Sequence, residues 1–327
     1  MARQYRVIRK VATVPVTAGG FSTIDLPRDY DYETIFVRIN GGLQVTVAAT
    51  SVRAENPCQT VARMEVIADG KNNIYSAPFW FASLGARARP MTDFNGRATT
   101  PASGTAIATY TVEAIGAIDL MAVDAVRPKD SNFRSSGLSL FQLRLTFGQP
   151  GDNFVGGTVV YSNMYVDVFV QQLVELPDAA GAVTSPYALK KVSYQEIAMA
   201  SSNANQEIRL PAGNQIKSVL IRTEGTTTAG EPSVSVLNNV QLAAGVDVRL
   251  NLAGAQMRAK NSADYGYLTA GYYVADMTSK GQAPVNLTDL WDVSGSSEPK
   301  LICDVTGGAN VKMQAVVTEF ILAGGVA

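Results

Sequence analysis

Residues Ile24 to Gly41 read IDLPRDYDYETIFVRING, and residues Ile208 to Gly225 read IRLPAGNQIKSVLIRTEG. The two stretches align without a gap, 184 residues apart. Ile24/Ile208, Leu26/Leu210, Pro27/Pro211, Arg38/Arg222 and Gly41/Gly225 are identical. Ile35-Phe36-Val37 faces Val219-Leu220-Ile221, so the apolar positions coincide as well. Each copy opens a similar series of short strands. The pattern is therefore an internal duplication, and its period is too long for a solenoid or a propeller blade. It predicts two similar domains in one chain.

Length agrees with that reading. A chain of 327 residues suits about two domains of roughly 150 residues each. Hydrophobic residues make up 46% and charged residues 17%, a globular composition. The net charge of −1 provides no global field for nucleic acid or anionic membrane. No apolar run reaches the ~18 residues that a spanning helix needs. The N-terminus MARQYRVIRK lacks the apolar centre of a signal peptide. Cys58 and Cys303 lie in opposite halves; they allow one disulfide, and two buried thiols are the plainer reading. The chain has no histidine. That excludes Ser-His-Asp and Cys-His catalysis, histidine metal sites and a histidine pH switch.

Along the chain the periodicity is that of strands. Ile24 and Leu26 alternate with polar neighbours, and Thr34 to Ile39 is a strongly β-forming run. Met64 to Ala68 ends at Asp69-Gly70, a hairpin signal. Leu143, Leu145 and Phe147 point one way while Gln142, Arg144 and Thr146 point the other. Val246 to Leu252 is the cleanest alternation in the chain. Leu301 to Val305 corresponds to Leu143 to Phe147, and Val311 to Leu322 to the strand that closes the first half. Short helices are predicted within Ala77 to Arg87, Pro186 to Ala200 and Leu287 to Val293. The fold class is all-β: two tandem jelly-roll β-sandwich domains with a few short helices. The expected division is an N-terminal basic arm over 1–12, a first roll over 13–176, a linker over 177–191 and a second roll over 192–327. The extra length of the first half is assigned to a loop insertion between Arg89 and Ser136.

The arm carries Arg3, Arg6, Arg9 and Lys10. Read as a helix, it puts Tyr5, Ile8 and Ala12 on one face with the basic residues beside them. Those four cations are the candidate contact to an inner membrane or nucleic acid; a solvated terminus is the plainer reading. Arg87, Arg89 and Arg97 are a second basic group, read as a surface loop or as an inter-subunit or nucleic-acid contact. The carboxylate pairs Asp29/Asp31 and Asp289/Asp292 have the composition of a glycosidase pair but lie among loop signals. Asn286-Leu287-Thr288 is a glycosylation sequon without a secretory context. Phe79-Trp80-Phe81 reads as buried aromatic structure. There is no GxxxxGK[ST] loop, GxGxxG turn or GxSxG elbow. No catalytic residue, metal ligand or cofactor is expected, so the chain is read as working through its surfaces.

Two tandem β-domains of this length resemble the double jelly-roll major capsid proteins of tailless icosahedral viruses, those of bacterial viruses among them. The likeness spans residues 13 to 323. Met64 to Leu84, MEVIADGKNNIYSAPFWFASL, is similar to their strand–turn–strand segment followed by an aromatic stretch. Leu287 to Val305, LTDLWDVSGSSEPKLICDV, resembles the run into a late strand of the second roll. The resemblance implies a homotrimer whose six rolls form a pseudo-hexagonal capsomer tiling an icosahedral shell. Partners would be neighbouring capsomers, other capsid proteins such as a vertex penton, and an internal lipid membrane touched by the N-terminal arm. It implies a virion protein made in the host cytoplasm, and no enzyme. The alternative reading is a β-sandwich carbohydrate-binding or viral spike/receptor-binding protein; a carbohydrate-active enzyme ranks last.

Overall fold

The computed structural model of the chain describes residues 4–83, 99–121, 132–175, 188–225, 228–265, 269–277, 290–295 and 298–322. They fall into two compact units, one holding the described residues up to Lys191 and the other Val192–Leu322.

The first unit contains β1 (Gln4–Pro15), β2 (Phe21–Asp25), β3 (Asp31–Val47), β4 (Ser51–Val52), β5 (Val61–Ala68), β6 (Asn72–Ala77), α1 (Phe79–Ser83), β7 (Thr99–Thr100), β8 (Ala108–Asp119), β9 (Phe141–Phe147), β10 (Phe154–Val155) and β11 (Thr158–Glu175). One sheet has the order β1-β11-β3-β8-β7, and the second runs β6-β5-β9-β2. The second unit contains β12 (Ala188–Ala198), β13 (Asn203–Arg209), β14 (Gln215–Glu224), β15 (Leu237–Ala244), β16 (Asp247–Ala253), α2 (Gly254–Tyr265), β17 (Tyr272–Asp276), β18 (Trp291–Asp292), β19 (Pro299–Val305) and β20 (Lys312–Leu322). Its sheets run β17-β14-β20-β12 and β13-β19-β15-β16, with β18 added on β14.

The eight main strands take the same places in both units. Strands β1, β2, β3, β5, β6, β8, β9 and β11 are matched in sheet position by β12, β13, β14, β15, β16, β17, β19 and β20. Each set forms two four-stranded antiparallel sheets between which the chain alternates. That is a jelly roll, made twice, and in each the helix follows the fifth of the eight main strands. The repeated stretch lies over β2–β3 in one roll and β13–β14 in the other.

The core of each roll follows from period-two patterning. In β9, Phe141, Leu143, Leu145 and Phe147 are buried; in β19 the buried set is Leu301, Cys303 and Val305. In β3, Ile35, Val37 and Ile39 point inward, as do Val219 and Ile221 in β14. Each such aliphatic side chain contributes about 1.5–3 kcal/mol by leaving water. Asp69-Gly70 turns β5 into β6, both residues at positive φ (52° and 71°). Asp69 holds that turn to the chain before β9 by accepting bonds from the Ser139 amide and hydroxyl. Helix α1 buries Phe79 and Trp80, as the aromatic reading of that stretch expects.

Three local expectations are corrected. Gln4–Pro15 is strand β1, not a helical arm: it pairs with β11 from Gln4↔Glu175 to Pro15↔Tyr165. The segment Pro186–Ala200 holds strand β12, because Val192, Tyr194 and Ile197 suit a pleated sheet better than a helix. Helix α2 was not anticipated, since Met257 is its only large buried apolar side chain. Val246–Leu252 does form a strand, β16, but at a sheet edge with its side chains largely exposed. Cys58 and Cys303 are buried and form no disulfide; burial alone raises the Cys303 thiol to about 12. Leu84–Arg97, the linker residues 177–187 and Asn286-Leu287-Thr288 lie outside the described residues. The expected loop insertion over 89–136 is also corrected: that stretch holds β8, one of the eight main strands, paired along β3.

Candidate functional site

Three of the four N-terminal cations sit on β1, and each is engaged within the first roll. Arg6 donates from Nε to Glu33 at 2.7 Å; Arg9 pairs with Asp29; Lys10 Nζ lies 2.6 Å from Asp167. Glu33 is fully buried, so Arg6 supplies the charge that lets a carboxylate remain there, assisted by Gln171 at 2.6 Å. Arg3 lies outside the described residues. These pairs cross strands over 20 to 157 positions in sequence, so no local motif marks them. The cations keep exposed flanks all the same: β1 is the outer strand of its sheet, and Ile8 beside them is 65% exposed.

Lys10 belongs to a larger cluster. Asp167 also accepts from Thr13 Oγ1 at 2.6 Å and lies 3.6 Å from Arg38, whose Nε donates to Glu113 at 2.6 Å. Burial pushes the Asp167 carboxyl up, but the bonds from Lys10 and Thr13 and the charges of Lys10 and Arg38 outweigh it, and the group ends below the ordinary range. The second roll carries its own cluster on β12, β14 and β20. Arg222 pairs with Glu224 and donates to Gln314 (3.1 Å) and the Gly230 carbonyl (2.8 Å). Glu196 accepts from Tyr194, Lys312 and Gln314 at 2.6–3.0 Å. Burial raises the Glu196 carboxyl, and these three donors more than reverse it.

Two clefts open on the described surface. The first, about 520 Å³, lies where β2 turns toward β3 and β9 begins; Arg9, Lys10 and Arg28 line it with Asp25 and an apolar floor including Leu26 and Phe141. The second, about 890 Å³, lies at the β15–β16 turn and the start of β19. Its walls carry Glu207, Asp247, Asp292 and Glu298, with Lys300 and Trp291.

The described carboxylates of the two sequence pairs have local partners. Asp29 is held by Arg9, and Asp31 accepts from Asn132 at 2.9 Å. Asp292 caps its own turn through the Ser294 amide at 2.9 Å, and Asp289 lies outside the described residues. Among the described residues no group of three or more His, Cys, Asp or Glu is placed to hold a metal ion, and no helix is long and apolar enough to cross a membrane. Arg87, Arg89 and Arg97 are outside the described residues.

Eight-stranded rolls in tandem, here each with a helix after its fifth main strand, define the double jelly-roll class. The chain has the fold of double jelly-roll viral major capsid proteins. The capsid protein of Sulfolobus turreted icosahedral virus matches with TM-score 0.73 at 15% identity, over 97% of each chain. The major capsid protein P2 of bacteriophage PM2 matches at 0.63 with 12% identity, over 99% of this chain and all of that one. A PBCV-1 virus capsid structure matches at 0.66 with 12% identity, over 98% and 94%. No family model matches the sequence, and no curated protein matches it.

Proposed function

We propose that the protein is the major capsid protein of an icosahedral virus, three copies of which form a pseudo-hexagonal capsomer. The observation that carries this is the repetition of one roll in a single chain, matched end to end by capsid proteins of very different sequence. Two rolls per copy make six similar blocks in a trimer, a shape suited to hexagonal tiling. The work is then structural and needs no reaction centre; location in the virion after synthesis in the host cytoplasm goes with it. Neighbouring capsomers and a vertex protein would be the partners. Contact of Arg3, Arg6, Arg9 and Lys10 with an inner membrane or nucleic acid belongs to the same reading. It is supported by the partial exposure that Arg6, Arg9 and Lys10 keep while holding their carboxylates. Near anionic lipid each such cation gains about 1 kcal/mol.

The test is the native mass of the purified chain by light scattering, with electron microscopy of the same sample. A species of three times 34.7 kDa with a hexagonal outline is expected. A monomer at every concentration, with glycan binding in its place, would overturn the reading in favour of a carbohydrate-binding or spike protein.

A further inference from the structure

Strand β1 is held differently from the rest of the first roll. No residue from Tyr5 to Pro15 is fully buried. Each of the other seven main strands buries at least one apolar side chain, from Ile24 on β2 to Val166, Val168 and Val170 on β11. Strand β12, in the same place in the second roll, buries Val192. β1 is also the outer strand of its sheet, bonded to β11 alone, and its ladder is interrupted between Lys10 and Ala12. Tyr5 and Ile8 stand exposed along it. Lifting β1 away therefore returns little apolar area of its own to water.

What ties β1 to the roll beyond its ladder is charge. Arg6 reaches past β11 to Glu33 on β3, Arg9 pairs with Asp29 between β2 and β3, and Lys10 pairs with Asp167 on β11. Thr13 adds one bond to Asp167. All three cations keep at least a third of their side chains in solvent, so salt reaches every pair. The most deeply placed pair is incompletely satisfied. Arg6 and Gln171 both donate to Oε2 of Glu33, and its Oε1 has no partner among the described residues. Asp167 keeps Arg38 when Lys10 leaves.

We propose that β1 is a releasable strap: it detaches from β11 as one unit while the other seven main strands stay folded, and the pairs of Arg6, Arg9 and Lys10 are the latch that holds it. Segments with few buried apolar contacts open below the energy of global unfolding, and β1 is such a segment. The roll outlasts it because the buried side chains belong to the other strands. Release bares three cations together and opens the edge of β11, which has unpaired backbone groups once β1 is gone. One event thus converts the N-terminal segment from paired to free charge. The device belongs to the single chain and does not depend on its assembly.

The test is hydrogen exchange of the full chain, read by mass spectrometry with residue-level fragmentation, at low salt and in about 1 M NaCl, where the screening length falls to about 3 Å. The amides of Arg6–Val14 that pair with β11 are expected to exchange at least about tenfold faster than the paired amides of β3. High salt should speed β1 by about another tenfold and leave β3 unchanged. Trypsin reports the same opening, because its sites after Arg6, Arg9 and Lys10 are the latch residues themselves; cleavage there should quicken with salt. Lys10→Met should reproduce the salt effect at low salt, and Arg6→Gln should do so more strongly. Where Arg6→Gln does not fold, Lys10→Met carries the test, since Asp167 retains Arg38 and Thr13. Paired β1 amides that exchange in step with those of β3 at both salt concentrations overturn the strap. A β1 rate unmoved by salt and by Lys10→Met overturns the latch.

Discussion

Arg38 and Arg222 hold the same place in the two rolls and meet different opposites. Each lies on the third strand with its side chain directed away from its own core, and each is paired in register with the closing strand. Across from Arg38 stands Asp167; across from Arg222 stands Gln314. Arg38 is one-third exposed and shares Asp167 with Lys10 and Thr13. Arg222 is fully buried, and Glu224 depends on it. Arg222→Met leaves a buried carboxylate without its cation, at about 3–5 kcal/mol. Arg38→Met removes a partly solvated pair from an acid that keeps two partners, at about 1 kcal/mol. Denaturation midpoints of the two variants check the order, and amide exchange in β14 against β3 locates the damage.

The repeat's shared glycines predict a similar asymmetry. Gly41 lies inside β3 at φ +144°, beside the irregularity between Ser162 and Tyr165 of β11. An added Cβ would stand 2.6 Å from the Asn163 carbonyl oxygen and the Met164 Cα, both backbone. Gly225 follows β14, and its added Cβ would meet the Ser233 side chain at 2.8 Å. Gly41→Ala is expected to cost about 3 kcal/mol or more, from strain and overlap together. Gly225→Ala should cost about 1 kcal/mol, because the Ser233 loop can shift. Thermal melts of the two variants settle the ranking.

Acid, not mild acidification near pH 6, should loosen both rolls. Asp167 and Glu196 have carboxyl groups held below their ordinary values in the folded chain. A lowered folded value means the unfolded chain takes up protons first as pH falls. The stabilisation is therefore complete above the ordinary carboxylate range, about pH 4, and is lost as pH drops through the folded values. With no histidine in the chain, imidazole titration adds nothing between pH 5 and pH 8. Stability against urea should be flat over that interval and fall below about pH 4. Asp167→Asn and Glu196→Gln should each shallow the acid limb. A steep loss at pH 6 would count against this account.

How much of this could be read from the chain depends on where each signal resides. The duplication was legible because Ile24, Leu26 and their copies are inward residues before a Pro that ends the strand, so packing writes directly into sequence. The same holds for Leu143, Leu145 and Phe147, which alternate against solvent. Strand β1 was misread because it lies at a sheet edge, where both faces are partly wet and the period blurs. The basic residues were found, but not their partners: Asp167 stands 157 positions from Lys10, a pairing that only the antiparallel closure of β1 on β11 creates. The two clefts are likewise made by turns distant in sequence.

Helix α2 was missed for a reason that yields its own prediction. Its buried face rests on Met257 and on Asn261, a polar residue that hydropathy counts against burial. Asn261 donates from Nδ2 to the Val274 carbonyl at 2.7 Å and accepts the Val274 amide on Oδ1 at 2.9 Å. One side-chain amide thus completes the outer edge of β17, where no further strand follows in the sheet. Asn261→Ala leaves both groups of Val274 buried and unpaired, at about 3 kcal/mol. Asn261→Asp keeps the acceptor but sets an anion against the Val274 carbonyl, and should be at least as disruptive. The reporter is the Val274 amide: its hydrogen exchange should accelerate in Asn261→Ala well before the amides of β14 do. Unchanged protection at Val274 would mean that β17 holds its edge without the helix.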